Sequence, residues 1–333
     1  MTPAEREQWL AERKKGITAT DISAICGYNP WRHPIDVYRE KRGLVESDDI
    51  SDKPHIMWGT LQEPIIAEYY GKKHGVELTE PGLLIHASLE WVRGTPDRLI
   101  VGQPKGLEVK TAEGYTSYKW GEPGTDDVPK MYLLQCAWYM LITGLPQWDI
   151  AVKIGSSDYR EYTVDRNENL ESNIIQVADE FWRNSILAGN PPPPDSSESY
   201  KKHIASTFPK DNGAMLRETD EVRTAALNLA RLKEDATVLE EDITLYENII
   251  KAAIGESSGV EGPGWKCTFK KPKDTVKVDY EAAFDALVKM TDASPEAIKR
   301  AIKGAETVKE NSRRFLFRPS ESFIADSMLR EVA

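Results

Sequence analysis

Asp97, Glu108 and Lys110 have the residue types and spacing to do chemistry on a phosphate group. Side chains alternate faces along a strand, so Glu108 and Lys110 in Leu107-Glu108-Val109-Lys110-Thr111 share one face. The preceding run Arg98-Leu99-Ile100-Val101 reads as a second strand, and Gly102-Gln103-Pro104-Lys105-Gly106 reads as the turn between them. A hairpin folded there brings Asp97 to the end that carries Glu108 and Lys110. Two carboxylates and an ammonium then lie together. Carboxylates are hard oxygen donors suited to Mg²⁺ or Mn²⁺, and a lysine beside a metal-bound water can orient it or neutralise charge. The same Glu-x-Lys spacing also reads as a solvated ion pair on an exposed strand, and spacing alone leaves both readings open.

Other chemistries lose ground. The 333 residues contain no Gly-x-x-x-x-Gly-Lys-Ser/Thr phosphate loop and no complete dinucleotide fingerprint. His33, His55, His74, His86 and His203 lack ligand spacing, no Cys-x-x-Cys occurs, and no Gly-x-Ser-x-Gly elbow is present. Cys26, Cys136 and Cys267 are far apart and odd in number, which suits a reducing, cytoplasmic setting. No apolar run is long enough to cross a membrane, and Met1 to Lys15 has no secretory apolar core. The formal charge of −11 argues on its face against a nucleic-acid partner. Net charge, however, governs solubility and long-range steering rather than a local groove.

The elements that must position these residues follow from periodicity. Helical patterns are expected at Pro3–Lys14, Thr20–Ile25, Ile35–Lys41, Leu61–His74, Met131–Thr143 and Asn169–Leu187. Strands are expected at Leu83–His86, Trp91–Gly94, in the hairpin, and at Trp148–Ile154 and Arg160–Val164. The four prolines Pro191 to Pro194 punctuate the chain. They suggest a first domain over residues 1–195 and a second over 196–333. A surface loop inside one domain is the other reading of the same run.

Beyond the prolines, Val222, Ala225, Leu229, Leu232, Ala236, Leu239, Ile243, Tyr246, Ile250 and Ala253 form a heptad seam. It is compatible with a helix of about 48 Å that self-associates or packs on the tail's own short helices. A basic hairpin is expected from Trp265–Lys271 and Thr275–Val278, followed by short helices at Tyr280–Met290 and Pro295–Ile302 and a strand at Arg313–Arg318. Lys266, Lys270, Lys271, Lys273 and Lys277 against Asp274 give residues 266–278 a charge of +4, with Trp265 and Phe269 interleaved. Such a hairpin could grip a DNA backbone or simply be a solvated strand over an aromatic core.

Four blocks in order give the chain a family likeness. Pro96-Asp97 and Glu108-Val109-Lys110 resemble the two halves of the PD-(D/E)xK nuclease motif. Trp9-Leu10-Ala11-Glu12-Arg13 with Gly16–Ile25, then Trp58-Gly59-Thr60-Leu61-Gln62-Glu63-Pro64, then Tyr132-Leu133-Leu134-Gln135, resemble the blocks of the YqaJ/lambda-exonuclease family of phage recombination nucleases. The resemblance implies an α/β PD-(D/E)xK, restriction-endonuclease-like core, a mixed central sheet flanked by helices. A mainly helical C-terminal region with a small β-sheet would follow it.

The resemblance also implies roles. Asp97, Glu108 and the carbonyl of Val109 would hold metal, Lys110 would orient the attacking water, and Glu63 would complete the acidic cluster directly or through water. Gln135 would hold the active-site network, and Arg13, Thr18 and Thr20 would bind a DNA 5′-phosphate. The cofactor would be Mg²⁺, with Mn²⁺ substituting, as a pair of ions. The substrate would be linear double-stranded DNA digested from its ends, 5′ to 3′, without ATP. The 3′ overhangs left behind would serve a phage single-strand annealing protein in a bacterial or prophage setting. By resemblance the assembly would be a homo-oligomer, a trimer, and the region beyond the proline run would be additional to the minimal nuclease. From the residues alone, Thr18 or Thr20 could cap a helix, Gln135 could be a satisfied core amide, and Glu63 could be a first-turn helix charge. An endonuclease of the same superfamily and a non-catalytic DNA-end or partner-binding module are the competing functions.

Overall fold

A computed structural model describes residues 8, 11–45, 53–273, 280–291 and 294–305. Trp9, Leu10, the Thr275–Val278 arm of the expected hairpin and the Arg313–Arg318 strand lie outside the described residues. The chain divides into two compact units, Met1–Thr207 and Phe208–Ala333.

The first unit is built on a five-stranded sheet of order β1-β4-β5-β6-β7, from Leu78–Thr79, Arg98–Ile100, Lys105–Ala112, Gln147–Ile154 and Asp158–Asp165. A two-stranded ladder joins β2 (Leu84–Ile85) and β3 (Arg93–Gly94). β4 and β5 are the antiparallel hairpin expected from sequence, with Arg98 opposite Leu107 and Leu99 opposite Gly106. β5 and β6 are parallel in the register Glu108 to Ile150, while β6–β7 and β1–β4 are antiparallel. The sheet is therefore mixed.

A parallel pair needs a crossover connection, and here it runs through a 3-10 turn at Gly114–Lys119 and a helix at Lys130–Thr143. That helix is α4 in chain order, after α1 (Ala19–Ile25), α2 (Pro34–Lys41) and α3 (Pro54–His74). The sheet faces follow from alternation. Leu107, Val109 and Ala151 pack with Ile66, Ala67 and Tyr70 of α3. Trp148, Ile150 and Val152 join the larger core with Leu134, Ala137 and Trp138 of α4. Glu108 and Lys110 thus lie on the face opposite that of Leu107 and Val109.

α3 begins at Pro54, well before the expected start at Leu61, because Pro54 sits in the first turn where a missing N–H costs nothing. α5 (Glu168–Glu180) continues into a π-helical segment, Phe181–Leu187. α6 (Glu198–Thr207) follows the proline run and belongs to the first unit. Tyr200 donates its hydroxyl to the Pro192 carbonyl at 3.1 Å, and its ring meets His203, which also contacts Tyr38.

In the second unit, α7 (Asp220–Ile254) is the long helix the heptad spacing predicts, capped by Thr219. Leu227, Ala230 and Ile254 are buried, but Leu232, Leu239, Ile243 and Tyr246 of the seam are all more than half exposed. β9 (Trp265–Thr268), the start of the expected Trp265–Lys271 strand, pairs with an upstream strand that the sequence reading did not include, β8 (Gly259–Gly262), through a turn at Pro263-Gly264 with Gly264 at φ +78°. α8 (Tyr280–Met290) and α9 (Pro295–Ala305) complete the described tail. No helix among the described residues is long and apolar enough to cross a membrane.

Gly106 shows how closely the site is supported. A Cβ there would lie 2.3 Å from both Cζ2 and Cη2 of Trp148, which itself is fully buried. Neither strand can retreat, since β5 is paired on both sides. Gly106→Ala is expected to cost about 2 kcal/mol of stability by overpacking, measured by urea denaturation against the wild type.

Candidate metal-dependent active site

Burial and backbone direction assemble the site at the C-terminal half of β5. Glu108 is fully buried, Gln135 is 7% exposed and Lys110 is partly covered. Lys110 Nζ and Gln135 Nε2 both donate to Glu108 Oε1. Gln135 reaches Glu108 because α4, the crossover helix, packs on the sheet face that Glu108 points to.

Asp97 lies just before β4, where that strand's pairing with β5 ends. Its Oδ2 accepts the Val109 N–H at 2.7 Å. The carboxylate thus replaces the backbone partner that β4 no longer supplies. In a strand, the N–H and C=O of one residue leave on the same side, so the Val109 carbonyl emerges on the Asp97 side.

Glu63 lies inside α3, two turns beyond its start, so the first-turn reading does not hold. Its Oε1 accepts from Arg98 Nη1 at 3.0 Å, and Arg98 also donates to the Asp97 carbonyl at 2.6 Å and pairs with Glu80 at 3.2 Å. Glu63 therefore enters the cluster through Arg98, within the electrostatic range of Asp97 and Lys110. Burial first, then the charge of Asp97, raises its carboxyl above the ordinary value.

The same two causes push Glu108 up to about 8, against the opposing pull of Lys110. Burial works against the Lys110 ammonium, but the negative charges of Glu108 and Asp97 outweigh it and raise its pKa. Lys110 is thereby held as a cation, a hydrogen-bond donor rather than a base. The Oε2 atom of Glu108 is buried without a hydrogen-bond partner. A carboxylate oxygen in that state costs several kcal/mol unless a cation or donor reaches it.

This is a fit for a divalent cation. Among the described residues no three His, Cys, Asp or Glu side chains stand close enough to cage an ion. The donor set is instead two carboxylates and a peptide carbonyl, which suits Mg²⁺, an ion that keeps several waters.

A second cluster contains the other expected residues. Thr18 is the N-cap of α1, and Asp21 three residues on accepts its N–H at 2.9 Å and its hydroxyl at 2.7 Å. Arg13 Nη2 donates to Thr18 Oγ1 at 3.3 Å and Thr20 Oγ1 at 3.0 Å. Thr18 is buried and Thr20 exposed, so capping and a surface-facing Arg–hydroxyl group coexist. Tyr139 links this cluster to the first. Its hydroxyl accepts from Gln135 Nε2 at 3.1 Å, donates to the Thr95 carbonyl at 3.1 Å, and lies in the field of Arg13. All eight side chains expected from sequence (Arg13, Thr18, Thr20, Glu63, Asp97, Glu108, Lys110 and Gln135) therefore belong to one unit, in two groups joined through Tyr139.

Residues 8–146 match the family model of the YqaJ-like viral recombinase domain. That span holds every expected site residue. Among curated proteins, the Bacillus subtilis (strain 168) protein YqaJ, itself uncharacterized, is 27% identical over 282 residues, covering 82% of this chain and 87% of its own length. That share exceeds the first unit, so the likeness extends past Thr207 into the tail. Uncharacterized protein R354 of Acanthamoeba polyphaga mimivirus is 27% identical over 199 residues, covering 52% of this chain and 35% of its own. Among solved structures, the alkaline exonuclease LHK-Exo of Laribacter hongkongensis aligns with TM-score 0.46 at 20% identity, covering 61% of this chain and 99% of that one. A phage-related exonuclease of Haemophilus somnus 129PT aligns with TM-score 0.41 at 14% identity, covering 58% and 96%.

The region matched by that family model contains a positioning residue that sequence reasoning passed over. Asp21 is 1% exposed and pairs with Arg32 Nη1 at 2.5 Å and Lys41 Nζ at 2.8 Å. Lys41 also donates to the Arg13 carbonyl at 2.7 Å, so the carboxylate fixes Thr18, Lys41 and through it Arg13. Burial alone would raise the Asp21 pKa, but Lys41, Arg32 and Arg13 hold it far below the ordinary value. Its stabilising contribution is present from the usual carboxylate range upward and is lost only in strong acid. The available signal was its place three residues after Thr18, a capping-box spacing; the ion pairs with Arg32 and Lys41 are not visible at that range.

Asp21→Asn is expected to cost about 3 kcal/mol or more, since it leaves the Lys41 ammonium buried without its counter-charge; chemical denaturation at neutral pH measures this. For the metal, adding Mn²⁺ in place of EDTA should raise the melting temperature of the wild type, by up to about 2.7 kcal/mol of linkage at a hundredfold excess over Kd. Asp97→Asn should abolish the shift, and an equal shift in that variant would count against Asp97 as a ligand.

Proposed function

We propose that this protein is a metal-dependent deoxyribonuclease that digests linear double-stranded DNA from its ends. The observation that carries the reading is the buried, unpartnered Glu108 oxygen beside Lys110 and Asp97, on residues that match a viral recombinase domain family. A solvated surface pair would not be buried in this way. A non-catalytic descendant would have no reason to keep a buried carboxyl group with one oxygen left unpartnered.

Asp97, Glu108 and the Val109 carbonyl would hold Mg²⁺ or Mn²⁺, which when bound supplies an activated water and neutralises charge at phosphorus. The side chains do the rest. Lys110, held as an ammonium, donates to the attacking water and to the phosphate oxygen facing it. Gln135 fixes the orientation of Glu108 through Oε1 and leaves Oε2 directed to the ligand position. Arg98 keeps Glu63 and Asp97 in a fixed relation, so the acidic cluster does not splay under its own repulsion. Arg13, with Thr18 and Thr20, offers a guanidinium and hydroxyls for a terminal phosphate. A terminal 5′-phosphate held there favours digestion from the 5′ end, leaving a 3′ overhang. We assign single-strand annealing protein and homo-oligomer as the partners of that product and of the enzyme by family resemblance.

Linear duplex DNA should be degraded in Mg²⁺ and not in EDTA, whereas closed circular duplex should persist. Lys110→Ala should lower the rate about 100-fold or more. Equal cutting of circles points to an endonuclease, and full activity in Lys110→Ala removes the site assignment. Labels at the 5′ and 3′ termini, followed by gel electrophoresis, report the polarity.

A further inference from the structure

A few residues beyond Lys110, β5 gives way to the 3-10 turn Gly114–Lys119. Both ends of this turn are fixed. Thr116 donates its N–H at 2.9 Å and its hydroxyl at 2.7 Å to the Glu113 carbonyl. At the other end Trp120 is 4% exposed, stacks on Tyr132 with ring centroids 5.4 Å apart, and lies 5.5 Å from Tyr162. Between these anchors Tyr115 and Tyr118 are 80% and 79% exposed, the most exposed aromatic side chains among the described residues.

The turn is tied to the site by contact. Lys110 Nζ lies 5.3 Å from the centre of the Tyr132 ring, and Tyr132 is the ring on which Trp120 stacks. Lys119 Nζ sits 5.9 Å over the Tyr118 ring, adding positive charge to the turn. The remaining residues of Gly114-Tyr115-Thr116-Ser117-Tyr118-Lys119 offer no aliphatic side chain. An apolar protein surface would find little to bury there beyond two ring faces. A nucleobase presents a π-face of matching size and brings a phosphate for the lysine. In a duplex those faces are covered by stacking on neighbouring pairs.

We propose that Tyr115 and Tyr118 form a stacking platform for unpaired nucleobases of the DNA strand that passes the Glu108–Lys110 site. The proposal rests on the nuclease reading and specifies how that site holds a strand once it has left the duplex. Stacking on tyrosine is tolerant of sequence, because every base has a π-face. The platform therefore supplies grip without base preference. Its rings belong to an anchored turn, so little ordering entropy is lost when a base arrives.

The test uses the full chain and a duplex bearing a single-stranded overhang with 2-aminopurine at the unpaired positions, in EDTA so that the DNA stays intact. The wild type should change 2-aminopurine fluorescence on binding. The double variant Tyr115→Ala with Tyr118→Ala should bind the overhang about tenfold more weakly and lose that change, while its thermal melt stays at the wild-type position because both rings face solvent. The double variant to Phe should behave as wild type, since the ring and not the hydroxyl does the stacking. An alanine variant that binds within about twofold of wild type, a phenylalanine variant as weak as alanine, or a wild type without a 2-aminopurine signal would overturn the platform. Digestion of linear duplex in Mg²⁺ is followed in parallel. If the wild type binds and signals but does not digest, the nuclease reading fails and the platform stands. If it digests and the alanine variant loses no affinity, the platform fails and the nuclease reading stands.

Discussion

A carboxylate with no exposure to water is the constraint on which the site depends. Glu108 lies between β4 and β6 on the α4 side of the sheet, and moving an ionised carboxyl into such surroundings is strongly unfavourable without compensation. Lys110 and Gln135 compensate one oxygen, and the other is left without a partner. The fold around it follows from this demand. A parallel β5–β6 pair requires a crossover, the crossover supplies α4, and α4 delivers Gln135 to Glu108.

The same reasoning explains why two acidic neighbours can be held so close to Glu108. Asp97 is pinned by the Val109 N–H, and Glu63 by Arg98, which also grips the Asp97 carbonyl. Each anchor fixes one part of a cluster whose members repel. The upward shifts of Glu63 and Glu108 record burial first and then the repulsion that remains, and a bound cation would oppose both. Asp21 solves the opposite problem in the neighbouring cluster, where one buried acid holds several cations in place. A net charge of −11 thus says little about the charge balance inside either cluster.

The β4–β5 hairpin and the long α7 were legible because each rests on local periodicity or a glycine-bounded turn, whereas the mixed sheet was expected only through the family resemblance. The recombinase-domain likeness was legible because its blocks are contiguous in sequence. Elements that depend on partners were not. β1 is two residues long and exists only by pairing with β4, and α6 is held to the first unit by Tyr200 and His203. The pairing of β9 with β8 was not legible either, since it turns on Gly264, which is free to adopt φ +78°.

By itself the sequence determined which residues could share a face: alternation put Glu108 beside Lys110, and capping-box spacing put Asp21 beside Thr18. Those relations span a few residues and need only backbone geometry. Tertiary structure alone decided that Glu108 is buried rather than solvated, that Arg98 intervenes between Glu63 and the cluster, and that Lys41 reaches both Asp21 and Arg13. Burial is a property of what packs from elsewhere in the chain. No spacing along the strand can therefore distinguish a surface ion pair from a buried carboxylate that lacks a partner for one of its oxygens.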